Sequence, residues 1–385
     1  MVGCMSHPQF EIILHNGYVI QKTGTPVFKT DIGIADGRIA AIGDLGSYTA
    51  TLDINAAGCY VTAGLVDFHV HVFNGGTDFS MPPDVPLLTS GVTAAVDAGS
   101  AGAANFEAFY RLCMVTSTVN LKAFLLVSST GQATIRHPES LDPALFDRKR
   151  ILRLCQTYRD AIVGIKVRQG RDISGSFGLE PLRAAVSIAT EAGLRVSVHA
   201  SNSPGAVGDT LAILREGDIF CHAFHGEGPT LLDEDNIVLA EVRAARDRGV
   251  LFEVAHGSRQ FSMEVARACI EQDFLPDIIS SDLSMLSMFR PPAFSLAHIM
   301  SKFLHLGMSI EDVVACCTQI PAGLIGGDSG VLRVGAVADI AVLRVLPRPV
   351  NFVDSHGQCE TGQKLIIPQM TIRAGQPVYR HHEFL

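Results

Sequence analysis

Positive charge is scarce in this chain and nowhere clustered. Only 18% of the 385 residues are charged, and 30 Lys and Arg face 39 Asp and Glu, a formal net charge of −9. A nucleic-acid or anionic-membrane partner is therefore disfavoured, because both need grouped Lys or Arg to meet phosphate. The nine cysteines are an odd, scattered set without a Cys-x-x-Cys pair, so reduced, buried thiols are expected rather than a disulfide framework. The opening MVGCMSHPQF has no basic segment leading into an apolar core, and no apolar stretch reaches transmembrane length; a soluble, cytoplasmic protein is expected. Repeats and low-complexity tracts are absent. No G-x-G-x-x-G follows the first long apolar run, which counts against an open dinucleotide-binding sheet.

Apolar residues are plentiful, at 47%, enough for one large core and a smaller one. Eight short apolar runs alternate with helical patterns between residue 61 and about residue 320: 61–72, 92–99, 121–128, 161–167, 194–200, 219–224, 250–257 and 277–283. Amphipathic helices fit between them, at 179–193 and at 233–249, the latter with Asp233 or Asp235 as N-cap and Gly249 as stop. Strand runs alternating with helices predict βαβ units, and eight of them have the size of an α/β (β/α)₈ barrel. The flanks differ. Turn-broken β-like runs at 9–55, with hairpin signals HNG and ADG, match others at 330–345 and 364–379. This predicts a small β-sandwich built from residues 1–60 together with 326–385, beside a barrel over 61–325.

The chemistry sits in GLVDFHVHVF, 64–73. Alternation puts Val66, Phe68, Val70 and Val72 on one face and Asp67, His69 and His71 on the other. Two imidazoles one pleat apart at a strand's C-terminal end can bind one metal ion, although a hydrogen-bonded histidine pair inside a barrel fits the motif as well. In IVGIKVR, Lys166 shares a face with Gly164 and Arg168; a buried unpaired lysine is expensive, and a lone lysine there is ordinarily a snorkelling or salt-bridged one. Ser197 and His199 share a face in LRVSVHA, IFCHAF carries His222, and IISSDL ends near Asp282. Each alone is ordinary. Together, five strand ends carrying His-x-His, Lys, His, His and Asp suit Zn²⁺ or a similar divalent ion.

GLVDFHVHVF, GIKVR, SVHA, CHAFHG, SSDLS and the closing GVLRVGAVADIAVL resemble the amidohydrolase superfamily. DFHVHVFNGGT and VGIKVRQG are similar to its amidohydrolase/deacetylase, dihydroorotase-like branch. The resemblance implies a binuclear metal hydrolase with two Zn²⁺ or other divalent ions per chain. It implies that His69, His71 and Asp282 hold one ion and His199 and His222 the other. Lys166, carrying a CO₂-derived carbamate, would bridge them, which turns an awkward buried cation into an anionic oxygen ligand. Metal-activated water would attack an acyl carbonyl, with Asp282 carrying the proton to the leaving group. The branch implies removal of an acyl group, most simply acetyl, from an N-acyl amine or O-acyl α-hydroxy acid. A cyclic amidase of dihydroorotase or hydantoinase type is the alternative, and a non-catalytic scaffold the remoter one.

Substrate contacts are less defined. Arg168 could clamp a carboxylate through paired N–H donors, and an outward salt bridge fits it equally. Arg171 could serve likewise, and His256 could meet the substrate or its oxyanion, or be a core histidine shaping the turn before Gly257. His225 reads as lying behind the ligands or on the surface, and Cys221 as packing, since it alternates away from His222. The segment 283–295, rich in Met and Phe, either caps the pocket or packs. The expected partner is a small acylated molecule, with no nucleic acid and no membrane, and a homo-oligomer is compatible with the resemblance.

Overall fold

A computed structural model describes residues 9–21 and 26–384; the opening MVGCMSHP, read above for a leader, lies outside them. Two sheets organise the chain. The first joins both ends of the sequence. It takes β1 (Phe10–Ile20), β2 (Phe28–Ala35), β3 (Arg38–Gly43), β4 (Ala50–Asn55) and β5 (Tyr60–Ala63) from the N-terminal part. The second sheet takes β6 (Leu65–Val70), β7 (Val92–Gly102), β8 (Asn120–Leu126), β9 (Ile162–Arg168), β10 (Arg195–His199), β11 (Ile219–Cys221) and β12 (Leu251–Glu253). The chain then returns to the first sheet with β13 (Ile340–Val353), β14 (Cys359–Arg373) and β15 (Gln376–Arg380).

The second sheet is parallel throughout and follows sequence order from β6 to β12. The eighth apolar run forms no ladder of its own. Residues 277–283 make single parallel bridges to both edges, Ile278 to Glu253 and Leu283 to Val70. The Asp282 N–H donates to the His69 carbonyl at 2.7 Å, and the His256 N–H to that of Ser280 at 3.1 Å. The sheet thus curls until one segment touches both of its edges. Val66, Phe68, Ala94, Val96, Phe124, Ile219, Cys221 and Ile278 meet in one apolar cluster, contributed by strands far apart in the sheet order.

That cluster corrects the expected facing of β6. Its ladder with β7 pairs Asp67 with Ala95 and Val70 with Asp97, so β6 carries one extra residue there. A bulge resets the alternation. Val66 and Phe68 therefore pack inward, Val70 and Val72 join the larger outer core, and Asp67 meets Ser281 instead of sharing a face with His69.

The first sheet has the order β15-β14-β13-β5-β1-β2-β3, with β4 also on β1. One edge of β1 pairs with β2. The other pairs with β4 over Phe10–His15 and with β5 over Tyr18–Ile20. The expected sandwich is thus supported in part: one branched sheet carries its own core of Ile12, Leu14, Ile32, Ile54, Val61, Ile340 and Met370. ADG forms the β2–β3 turn, with Asp36 and Gly37 at φ 52° and 69°. HNG does not turn the chain. Asn16, at φ 64°, sits at an irregularity inside β1.

Of the two anticipated helices, Glu180–Ala192 forms and stops at left-handed Gly193. The other is shorter than expected, Ala240–Asp247. Asp233 accepts from the amides of Asp235 and Ile237, holding 233–237 as a turn, the local bonding by which Asp competes with helix. No helix among the described residues is long and apolar enough to cross a membrane.

Candidate metal centre and active-site cavity

The strand ends converge on one small cavity of about 120 Å³ whose lining includes His69, His71, Lys166, His199, His222 and Asp282. It shares His199, Arg168, Gln260 and Asp282 with a larger cavity of about 520 Å³. The His69 and His71 Nε2 atoms lie 3.5 and 3.2 Å from Asp282 Oδ1. The His222 ring lies 5.3 Å from that of His69 and 4.4 Å from that of His199, centre to centre.

Two of these side chains reach the cavity from unusual backbone. His222 and Asp282 have φ of 63° and 51°, left-handed values that few residues other than glycine adopt and that gather at functional sites. His222 follows directly on the last residue of β11, so strand alternation no longer applies to it. This is why Cys221 is not mere packing on the far side: its Sγ lies 3.3 Å from His69 Nδ1 and 3.4 Å from Lys166 Nζ.

Three imidazoles are held from behind through Nδ1. His71 Nδ1 meets Ser100 Oγ at 2.9 Å, and His222 Nδ1 donates to the Ala255 carbonyl at 2.7 Å. His69 Nδ1 faces Cys221 and, at 3.5 Å, Glu253 Oε2. Backing through Nδ1 fixes the ring and leaves Nε2 as the lone-pair donor, the arrangement of metal-ligating histidines. Burial, joined by the neighbouring Lys166 charge, lowers the His69 imidazole, and burial holds His199 and His222 well below their ordinary value. Neutral rings are what metal ligation requires. Burial would raise the Asp282 carboxyl, but His69, His71 and His222 outweigh it and hold it well below the carboxylate range.

Lys166 is 2% exposed. Its Nζ contacts Ser197 Oγ at 3.2 Å and Cys221 Sγ, and no carboxylate among the described residues pairs with it. Gly99, at φ 95°, gives it room: a Cβ there would lie 3.0 Å from the Lys166 Cβ and Cγ. Sequence reasoning missed Glu253, which is fully buried and accepts from Ser280 Oγ at 2.8 Å. Burial raises its carboxyl, and His69 and Lys166 more than reverse that. The signal was available: a lone Glu in VLFEVAHG is as anomalous as Lys166 in its own strand.

The substrate-contact candidates separate. Arg168 lines both cavities and is held by Glu139 Oε2 at 2.9 Å. With its oxygen turned toward the guanidinium, the Gln132 amide accepts from Nε and Nη1 at 3.1 and 2.9 Å. Arg171 is exposed, directed at the Ser203 carbonyl, and lines neither cavity. His256 is buried behind the wall, stacked on Phe261 at 4.3 Å and bound to Lys302 Nζ at 2.7 Å. His225 is also fully buried, its Nδ1 accepting from the Glu227 amide. Leu286 of the Met- and Phe-rich segment lines both cavities, while Met285, Phe289 and Phe294 stay exposed beyond it. Ser201 Oγ and Gln260 Oε1, both on cavity-lining residues, are buried without a hydrogen-bond partner, which native structures rarely leave unexplained.

The family model described as "Amidohydrolase family" matches residues 60–362. A deacetylase from Agrobacterium fabrum is 36% identical over 359 residues, covering 92% of this chain and 88% of that protein. Two solved structures cover nearly all of both chains. One, described as a dihydroorotase, is 33% identical with a TM-score of 0.87, covering 96% of this chain and 97% of its own. The other, described as an adenine deaminase, is 28% identical with a TM-score of 0.89, covering 97% and 100%. The family match over residues 60–362 and the 36% identity across nearly the whole chain make it a member of the amidohydrolase family and a hydrolytic enzyme.

Proposed function

We propose that the chain is a binuclear-metal deacylase acting on a small carboxylated substrate, an N-acyl amine or an O-acyl α-hydroxy acid with acetyl as the simplest acyl group. The observation that carries this reading is the lining of one small cavity by four imidazoles, a carboxylate and a buried lysine that no carboxylate among the described residues pairs with. The donor set fits two divalent ions, zinc first among them. His69, His71 and Asp282 would hold one, His199 and His222 the other, and Lys166 as its carbamate both. When bound, such ions supply Lewis acidity toward water and the acyl carbonyl.

The chain's own groups do the rest. Asp282, ionised and partly open to the cavity at 18% side-chain exposure, accepts a proton and returns it to the departing alcohol or amine. Arg168, fixed by Glu139 and Gln132 yet lining the cavity, pairs with the substrate carboxylate. Leu286 and Ile135 border the same space and give an apolar wall. The scaffold we read as a (β/α)₈ barrel over 61–325, with 277–283 its eighth strand, and a small β unit from 1–60 and 326–385.

A cyclic amidase is the second reading, favoured by the similarity to the structure described as a dihydroorotase. One panel separates them: O-acetyl and N-acetyl α-substituted carboxylates against cyclic amides, with adenine included. Acetate release from the acyclic acids is expected, and ring opening or deamination alone overturns the deacylase reading.

A further inference from the structure

The long β13–β14 hairpin leaves the first sheet and ends at the mouth of the second. At its base, Ile340–Leu343 pair with β5. At its tip, Asp354 accepts from the amides of His356 and Gln358 through Oδ1, at 2.8 and 2.9 Å, and from the Met263 amide through Oδ2, at 3.1 Å. Ser355 binds Phe261 in both directions. Its N–H donates to the Phe261 carbonyl at 3.0 Å, and its Oγ accepts from the Phe261 amide at 3.1 Å. The His356 ring covers Gly226, where a Cβ would lie 2.5 Å from its Nε2.

Lys302 lies beneath this tip, fully buried on the helix Leu296–His305. Its Nζ meets the Val353 carbonyl at 2.8 Å, the Pro292 carbonyl at 3.2 Å and His256 Nε2 at 2.7 Å. Because His256 Nδ1 donates to the Gly257 carbonyl at 2.8 Å, Nε2 is the lone-pair nitrogen and Lys302 is the donor. All three ammonium hydrogens thus have acceptors.

Residues 257–260 hang between these two attachments. Lys302 grips the residue before them, His256, and Ser355 the residue after them, Phe261. Ser258, Arg259 and Gln260 all line the larger cavity, and Gln260 Oε1 is buried without a partner. We infer that the hairpin tip and Lys302 form a positioning element for substrate binding, setting where loop 257–260 presents Ser258, Arg259 and Gln260 to the cavity. The inference rests on the proposed function only in taking this cavity as the substrate's.

Ser355→Ala and Lys302→Met test it, with Ser355→Thr as the rescue. Losing one such hydrogen bond is worth a factor of roughly three to ten. Expected for Ser355→Ala are a KM raised by that factor, kcat and bound metal within about twofold of wild type, faster amide exchange in 257–262, and restoration by Ser355→Thr. Unchanged KM and exchange, or kcat and metal falling together with binding, overturn the inference. Should Lys302→Met fail to fold, Ser355→Ala decides alone. Should wild type hydrolyse no acylated acid, the proposed function fails separately, and exchange of the loop amides still tells whether the tip holds it.

Discussion

Each histidine of the centre whose Nδ1 is backed from behind was legible only in half. The sequence shows where His69, His71, His199 and His222 lie along their strands. It does not show Ser100, the Ala255 carbonyl, Glu253 or Cys221 behind them, because those partners come from segments distant in sequence. Cys221 was misread for a local reason: alternation was extended to His222, one residue past the end of β11. The same scale gives a prediction on acid stability. His298 lies between Phe294 and Phe352, and burial, aided by the Lys302 charge, lowers its imidazole to about 4. Between about pH 6.5 and 4 the unfolded chain binds the proton and the folded chain does not, so stability falls as pH falls through that window. The full shift corresponds to about 3 kcal/mol. His298→Phe should remove this residue's share of the slope, the other buried histidines keeping theirs. Urea unfolding at pH 7 and pH 4.5 checks it, and an unchanged wild-type-like slope contradicts it.

Elements place these residues, and one of them departs from regularity where the chemistry lies. The extra residue in β6 puts Phe68 into the interior apolar cluster while His69 still reaches Asp282. A period-two reading could not foresee it, since the bulge shows only in the pairing with β7. The seven parallel strands β6 to β12 were legible because their apolar runs and helical stretches alternate cleanly. The eighth was legible as a run but not as the bridging segment it forms. Gly257 shows how closely the elements meet. At φ 54°, a Cβ there would lie 2.5 Å from Asp282 Oδ2. Gly257→Ala should cost about 1–2 kcal/mol for the left-handed backbone. By displacing the carboxylate it should also cut kcat about a hundredfold, with KM changing much less. Thermal unfolding and steady-state kinetics check this, and wild-type kcat would show that Asp282 tolerates the shift.

Across the whole molecule, the ends of the chain build one sheet and send a hairpin back to the loops that follow β11 and β12 of the curled parallel sheet. The pairing of the chain's ends was legible in matching turn-broken β runs, but the reach of β13–β14 was not, since strand pattern is silent on what a tip docks against. Similar chains carry the descriptions deacetylase, dihydroorotase and adenine deaminase, as expected where one scaffold serves different substrates through its loops. What the account requires of this chain is the metal pair bridged by Lys166. Elemental analysis of wild type and Lys166→Ala, each with and without a short-chain carboxylic acid, tests it most directly. Expected are about two divalent ions per wild-type chain, loss of both metal and activity in Lys166→Ala, and partial return of both with the acid. A metal-free active wild type, or a Lys166→Ala chain holding as much metal as wild type, would contradict it.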